Sequence, residues 1–235
     1  MAALDLTCVA FDADDTLWHN ERFFKLTQDR FAALLKPYAP DVNLDETLLA
    51  AEKRNLGHYG FGIKGFVLSM IETALEVTEN QVPGAVVAEL IAAGQDMLQH
   101  PIDLLPYARD AVEAARAHGS VLLITKGDLL DQERKLAQSG LGELFDGVEI
   151  VSEKTPDTYA RVFAKHGIDP RQAVMVGNSV KSDILPVLAV GGHAVHVPHE
   201  LIWDIEKAPL PVDDPRFASI RHLGGLAPLL DAWDV

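Results

Sequence analysis

Four short runs, SVLLIT (120–125), GVEIVS (147–152), QAVMVGN (172–178) and HAVHVP (193–198), follow one another at intervals that each leave room for one helix. They are almost continuously hydrophobic and rich in β-branched residues, the pattern of strands buried on both faces. The intervening segments DLLDQERKLAQSG, PDTYARVFAKHG and SDILPVLAVGG are amphipathic at helical spacing, and each closes on a glycine that suits a helix C-terminal cap. Such alternation restricts the chain to an α/β class, a doubly wound parallel sheet with helices on both faces.

A fifth run, LTCVAFD (6–12), fits the same sheet but stands more than a hundred residues before the next strand. No single crossover is that long. The gap is helical by pattern, over roughly residues 21–35, 44–54, 64–76 and 85–98, with breaks at Pro37, Pro40, residues 57–62, Pro83 and Pro101. The expected organisation is an α/β core of residues 1–17 and 105–235, interrupted by an all-α insertion over 18–104. A helix over 107–118 leads into the second strand, and FASIR (217–221) suits a short edge strand.

Composition narrows the partners. A formal charge of −15 at pH 7 repels phosphate backbones, and no basic patch offsets it, so no nucleic-acid partner is expected. No apolar run approaches the ~20 residues of a membrane span, and MAALDLTCVA lacks the n- and h-regions of a secretory signal, so no membrane partner and a cytoplasmic location are expected. The single cysteine, Cys8, excludes an internal disulfide and reads as a small buried hydrophobe. A phosphate-bearing ligand would require a locally positive site on this acidic chain.

In an open parallel sheet, ligands bind beyond the carboxyl ends of the strands. There the sequence sets Asp12 and Asp14 after the first strand, Thr125, Lys126 and Gly127 at the end of the second, Lys154 after the third, and Asn178 with Asp183 after the fourth. Asp12 and Asp14, two apart, leave the same face if the extended backbone continues. Close carboxylates persist when a cation or a shared proton relieves them. Phosphoryl transfer through an aspartyl-phosphate uses both, with one carboxylate attacking and the other protonating the leaving oxygen. Mg²⁺ takes oxygen ligands of this kind. Thr125 with the amides of Lys126 and Gly127 offers an anion-binding corner, and Lys154 supplies positive charge.

These segments resemble the haloacid dehalogenase-like (HAD) superfamily. DADDT (12–16) is similar to its DxDx[TV] first motif, LLIT (122–125) to its second, Lys154 in KTP to its third, and GNSVKSD (177–183) to its fourth. The resemblance implies strand order 5-4-1-2-3, with Asp12 as nucleophile, Asp14 as general acid then base, and Thr125 and Lys154 holding the phosphate. It implies Mg²⁺ held by Asp12, the Asp14 carbonyl and the fourth motif, through Asn178 and Asp183. An insertion between the first two motifs resembles the helical C1 cap. Asn178 departs from the pattern, standing where the family commonly has Asp, which implies weaker metal binding.

The implied activity is Mg²⁺-dependent hydrolysis of a small phosphorylated metabolite. Rivals are a phosphomutase, a 2-haloacid dehalogenase, whose first motif resembles DxYGT where this chain has Asp14, and a non-catalytic phospho-accepting or ligand-binding module. In the insertion, Arg54, His58, Tyr59 and Lys64 surround the glycine-broken HYGFGIKG. Arg54, His58 and Lys64 are candidates for substrate binding, with an ordinary interhelical turn as the alternative. Phe23, Phe24 and Phe31 suit core packing of the insertion. Asp15 suits a turn or cap. His193 and His196 should project to opposite faces of their strand, so no zinc site is read from them with His199.

Overall fold

The computed structural model describes residues 5–233; residues 1–4 and 234–235, the ends of the expected core domain, lie outside the described residues. Six strands, β1 (Cys8–Phe11), β2 (Ser120–Lys126), β3 (Gly147–Val151), β4 (Ala173–Gly177), β5 (His193–His196) and β6 (Phe217–Ser219), form one sheet in the order β3-β2-β1-β4-β5-β6. Every pairing is parallel, and the first five strands take the order that the motif resemblance implies. The sixth, within FASIR, adds an edge beside β5.

Side-chain alternation along the strands explains why both faces are buried. Val9, Phe11, Val121, Leu123, Val174, Val176 and Val195 share one hydrophobic cluster with Ala111 and Val112 of α5 (Ala108–Ala115) and Leu226 and Leu230 of α9 (Leu226–Trp233). The intervening residues Cys8, Ala10, Leu122, Ile124, Met175 and Ala194 face Tyr159 and Phe163 of α7 (Pro156–Lys165) and Val187 of α8 (Leu185–Ala189). Burying two apolar faces requires the near-continuous hydrophobic runs seen in the sequence.

Two compact units result. The α/β unit comprises the residues up to Glu21, Ile102–Lys126 and everything from Gln132 onward; the helical unit comprises Arg22–Pro101 with Gly127–Asp131. A short two-stranded stem in the α/β unit, with an antiparallel bridge between Trp18 and Leu104, is tied by His19 N–H to Asp103 O at 3.0 Å and Leu105 N–H to Leu17 O at 2.9 Å. Among the described residues no helix is long and apolar enough to cross a membrane.

The helical unit contains most of α1 (Glu21–Leu35), then α2 (Leu44–Tyr59), α3 (Ile63–Val77) and α4 (Gly84–Gln99). Its core joins Phe31, Leu48, Phe66, Met70 and Leu90, with Phe23 and Phe24 packed at the edge. α2 runs five residues beyond the expected end at Arg54, passing through Gly57 to Tyr59. A helical glycine costs only about 1 kcal/mol. Against that cost, Asn55 donates to Ser69 Oγ at 3.1 Å and Glu72 Oε2 at 2.8 Å, and Tyr59 donates to Glu72 Oε1 at 2.7 Å. The turn instead falls at Gly60, whose φ of 71° suits glycine. Within this unit Arg54 pairs with Glu76 at 3.1 Å, Lys64 pairs with Asp128 at 2.9 Å, and His58 sits beside Tyr59 in the last turn of α2.

Candidate active site

The segments beyond the carboxyl ends of β1, β3 and β4 bring Asp12, Lys154 and Asp183 into one buried cluster. Lys154, just past β3 and held by the N-cap of α7, donates through Nζ to Asp12 Oδ1 at 2.5 Å and to Asp183 Oδ1 at 2.7 Å. The lysine and Asp183 side chains are each 1% exposed, so this is a desolvated triad with two anions and one cation. Burial pushes Asp12 up to about 7, with Asp183 adding to the rise while Lys154 opposes it. Burial works against the Lys154 cation, yet Asp12 and Asp183 hold its pKa above the ordinary value. Desolvation is thus the main cause of the Asp12 rise, whereas the two carboxylates are what keep Lys154 charged.

Asp183 reaches the cluster through an irregularity in the chain. The residues after β4 form a single π turn, Val180–Ile184, before α8 begins. Ser179 N–H donates to Asp183 Oδ2 at 2.9 Å and fixes the carboxylate. A Cβ on Gly177 would lie 2.3 Å from that same oxygen, so the close approach requires glycine. Thr16 is the second organiser: its hydroxyl donates to Asp12 Oδ2 at 2.9 Å and accepts from Asn178 N–H at 3.1 Å, with Asn178 Oδ1 at 3.3 Å. Asn178 thus stands beside the triad with its carbonyl bound to His196 Nε2 at 3.1 Å.

Asp14 has different neighbours. β1 ends at Phe11, and the next turn folds back on Ala13, whose carbonyl accepts from Thr16, Leu17 and Trp18. The Asp14 carboxylate accepts from Lys135 Nζ at 3.0 and 3.1 Å, from Gln132 Nε2 at 2.8 Å and from Trp18 Nε1 at 2.8 Å. Gln132 and Lys135 are three apart on α6 (Leu129–Ser139), hence on one side of that helix. Asp183 weighs more on Asp12 than Asp14 does. The turn occupies residues 15–17, directly after Asp14, and the Asp14 carboxylate is engaged by Lys135, Gln132 and Trp18 rather than by Lys154.

Thr125 is buried at the end of β2, and Gly127 follows with φ of 140°. The Lys126 side chain turns to a second, partly buried pair: it meets Glu206 Oε1 at 2.5 Å and Ser182 Oγ at 2.8 Å, and Glu206 also accepts from Ser179 and Ser182. Burial opposes the Glu206 charge, but Lys126 and the serines hold its pKa below the usual range. Arg54, His58, Lys64 and Gly127 belong to the helical unit. Lys135, Gln132, Thr16 and Glu206 were not signalled by the strand-end reading. Only the i, i+3 spacing of Gln132 and Lys135 on an amphipathic helix hinted at a shared polar face.

The model of the haloacid dehalogenase-like hydrolases matches residues 6–191. The chain belongs to that family. No curated protein matches this hydrolase. Among solved structures it is similar to a haloacid dehalogenase-like family hydrolase from Xanthomonas campestris, at 40% identity and TM-score 0.88 over 98% of this chain and 92% of that one. The fold is also that of the HAD-hydrolase YfnB from Bacillus subtilis bound to magnesium, at 16% identity and TM-score 0.68, covering 96% and 99%. L-2-haloacid dehalogenase from Xanthobacter autotrophicus, with chloropropionic acid covalently bound, shares it at 18% identity and TM-score 0.63, covering 96% and 98%.

Proposed function

We propose that this hydrolase is a Mg²⁺-dependent phosphatase of a small phosphomonoester, working through an aspartyl-phosphate on Asp12. The reading rests chiefly on the buried Asp12–Lys154–Asp183 triad. It places an ammonium against the proposed nucleophile at strand ends of a chain whose net charge is −15. Asp14, where the dehalogenase motif carries an aromatic residue, favours phosphate over halide chemistry, since departure of an alkoxide needs a proton and departure of a halide does not.

Asp12, Asp183, Asn178 and the Asp14 carbonyl are hard oxygen donors, and a divalent cation relieves both the desolvation that raises Asp12 and its repulsion from Asp183, so the residues fit Mg²⁺. When bound, the ion screens the anionic groups and polarises the phosphoryl oxygens. YfnB, of the same fold, is a magnesium-bound example. The other steps belong to the chain itself. Asp12 attacks phosphorus as the bond to the ester oxygen breaks, and Asp14 delivers a proton to that oxygen. Asp14 then takes a proton from the water that cleaves the acyl phosphate, restoring Asp12 and releasing inorganic phosphate. Lys154, Thr125 and the amides of Lys126 and Gly127 hold phosphate oxygens. Lys135, Gln132 and Trp18 hold the Asp14 carboxylate for these proton transfers. The helical unit is the proposed C1 cap, with Arg54, His58 and Lys64 as its substrate-facing candidates, and a cytoplasmic location without nucleic-acid or membrane partners accompanies this reading.

A panel of phosphometabolites assayed for inorganic phosphate, with and without Mg²⁺, tests the proposal, and Asp12→Asn should lower release by about 10⁴-fold or more. Chloride release from 2-chloropropionate without phosphatase activity would replace it with the dehalogenase reading. A phosphorylated isomer in place of free phosphate would replace it with the mutase reading.

A further inference from the structure

Outside the proposed catalytic cluster, one group of side chains able to hold a metal converges among the described residues of the α/β unit. The ligand atoms of Asp15, His19 and His199 all lie within 4.8 Å of one another. We propose that these three residues bind a borderline divalent cation of the Zn²⁺ class, at a site separate from the oxygen ligands assigned to Mg²⁺. This inference goes beyond the phosphatase reading and does not depend on it.

Three features of the geometry carry it. His199 Nε2 is 3.5 Å from Asp15 Oδ1, close to the ~3.4 Å that separates two ligand atoms around a tetrahedral ion with bonds of about 2.1 Å. The Nδ1 atom of His199 lies 3.0 Å from Leu201 O and 3.3 Å from Leu201 N. The Leu201 backbone thus holds the ring through Nδ1 and leaves Nε2 facing Asp15, and an imidazole held by a backbone group through one nitrogen is how metal-bound histidines are oriented. Asp15 is supported in the same manner: Asn20 N–H donates to Oδ1 at 2.8 Å and Glu21 N–H to Oδ2 at 2.9 Å, on a backbone held at φ 61°. The carboxylate is therefore fixed before any ion arrives.

His19 completes the set. Its ring meets that of His199 edge-on, with centroids 5.7 Å apart, and its backbone is pinned by the bond to Asp103 in the stem. Two imidazoles and one carboxylate suit zinc and its neighbours in the first transition row, whereas magnesium prefers oxygen ligands alone. Three protein ligands leave a fourth position for water. His193 and His196, on β5, contribute nothing to the cluster. An ion here would join the turn that follows Asp12 and Asp14 to the segment that follows β5.

The test is a titration of the metal-free full-length protein with Co²⁺, followed by visible absorption, in excess Mg²⁺ so that the oxygen-only ligands are occupied. One Co²⁺ per chain, displaced by Zn²⁺, is expected. His19→Ala and His199→Ala should each weaken binding by at least roughly tenfold, while His193→Ala and Asp12→Asn bind as the parent does. Zn²⁺ should also raise the melting temperature of the parent, and less so that of either variant. No visible band in a folded parent, binding unchanged in both histidine variants, or loss with Asp12→Asn instead would overturn the proposal. Circular dichroism of each variant separates lost ligands from lost fold.

Discussion

The α/β unit and the helical unit both carry exposed ion pairs, yet among the described residues only the α/β unit also buries lysine–carboxylate pairs. In the helical unit Arg30 reaches Glu89 and Asp96, Arg54 reaches Glu76 and Lys25 reaches Asp29, with both partners substantially exposed in each pair. In the α/β unit Lys154, Lys135 and Lys126 each meet carboxylates with little or no exposure. Exposed pairs lose most of their attraction to solvent and to side-chain entropy, whereas buried ones carry a large desolvation cost that only close, well-shared contacts offset. The contrast shows where the fold bears an electrostatic cost that stability alone does not require.

The sharpest test removes the cation from the buried triad. Lys154→Met keeps the aliphatic length but leaves Asp12 and Asp183 facing each other without their shared ammonium. Breaking a buried pair from one side costs about 3–5 kcal/mol. Urea unfolding of the variant in metal-free buffer should show a loss of that order. A midpoint equal to the parent's would mean that the triad is solvated and that the contrast between the units fails.

Acidity offers a second route to the same residues. Asp12 has an ordinary value of 3.8, raised in the fold to about 7. Between those pH values the folded protein binds a proton that the unfolded chain has released. In the absence of divalent ions this group's contribution to stability is therefore fully present below about pH 4 and is lost as pH rises toward about 7. Other carboxylates add their own pH dependence, so the informative quantity is the difference between the parent and Asp12→Asn. The parent should lose stability relative to the variant across that interval, by up to about 1.4 kcal/mol per pH unit. Unfolding midpoints at pH 5 and 7.5 measure it, and parallel pH profiles would remove the argument for an under-compensated anion.

Much of this arrangement is legible in the sequence. Buried runs at crossover spacing yielded the sheet, and the polar residues at four strand ends marked Asp12, Lys154 and Asp183. Their pairing was not legible, because it depends on turns shorter than any periodic signal. A spacing of two does not disclose that Lys154 takes Asp12 while Lys135 takes Asp14, since both lysines lie more than a hundred residues further along the chain. Likewise, the π turn that delivers Asp183 follows a glycine whose necessity is visible only when the carboxylate lies against it. His199 was weighed with its neighbours on β5, although its partners come from a turn some 180 residues earlier.

Asp14 lies between the two extremes, in a partly buried pair with Lys135 supported by Gln132 and Trp18. If Lys135 positions Asp14, Lys135→Met should lower kcat by about 10–100-fold with a smaller change in KM. A purely structural contact would instead change the melting temperature and leave kcat of the folded fraction intact. Measuring kcat against pH strengthens the distinction, because loss of a positioned proton donor alters the profile as well as its height.

The smallest effect is expected in the helical unit. Arg54→Met breaks a 3.1 Å contact with Glu76 between groups that are each more than half exposed. Water solvates the released Glu76, so the change in stability should be about 0–1 kcal/mol, and it should shrink further as salt is added. The same variant therefore reads substrate recognition with little interference from folding. A rise in KM for one member of the phosphometabolite panel, with stability unchanged, would give Arg54 the substrate-binding role proposed for it. An unchanged KM across substrates that the parent turns over would leave Arg54 as one more solvated surface pair. A loss of several kcal/mol would show that the helical unit, too, depends on charge that water cannot replace.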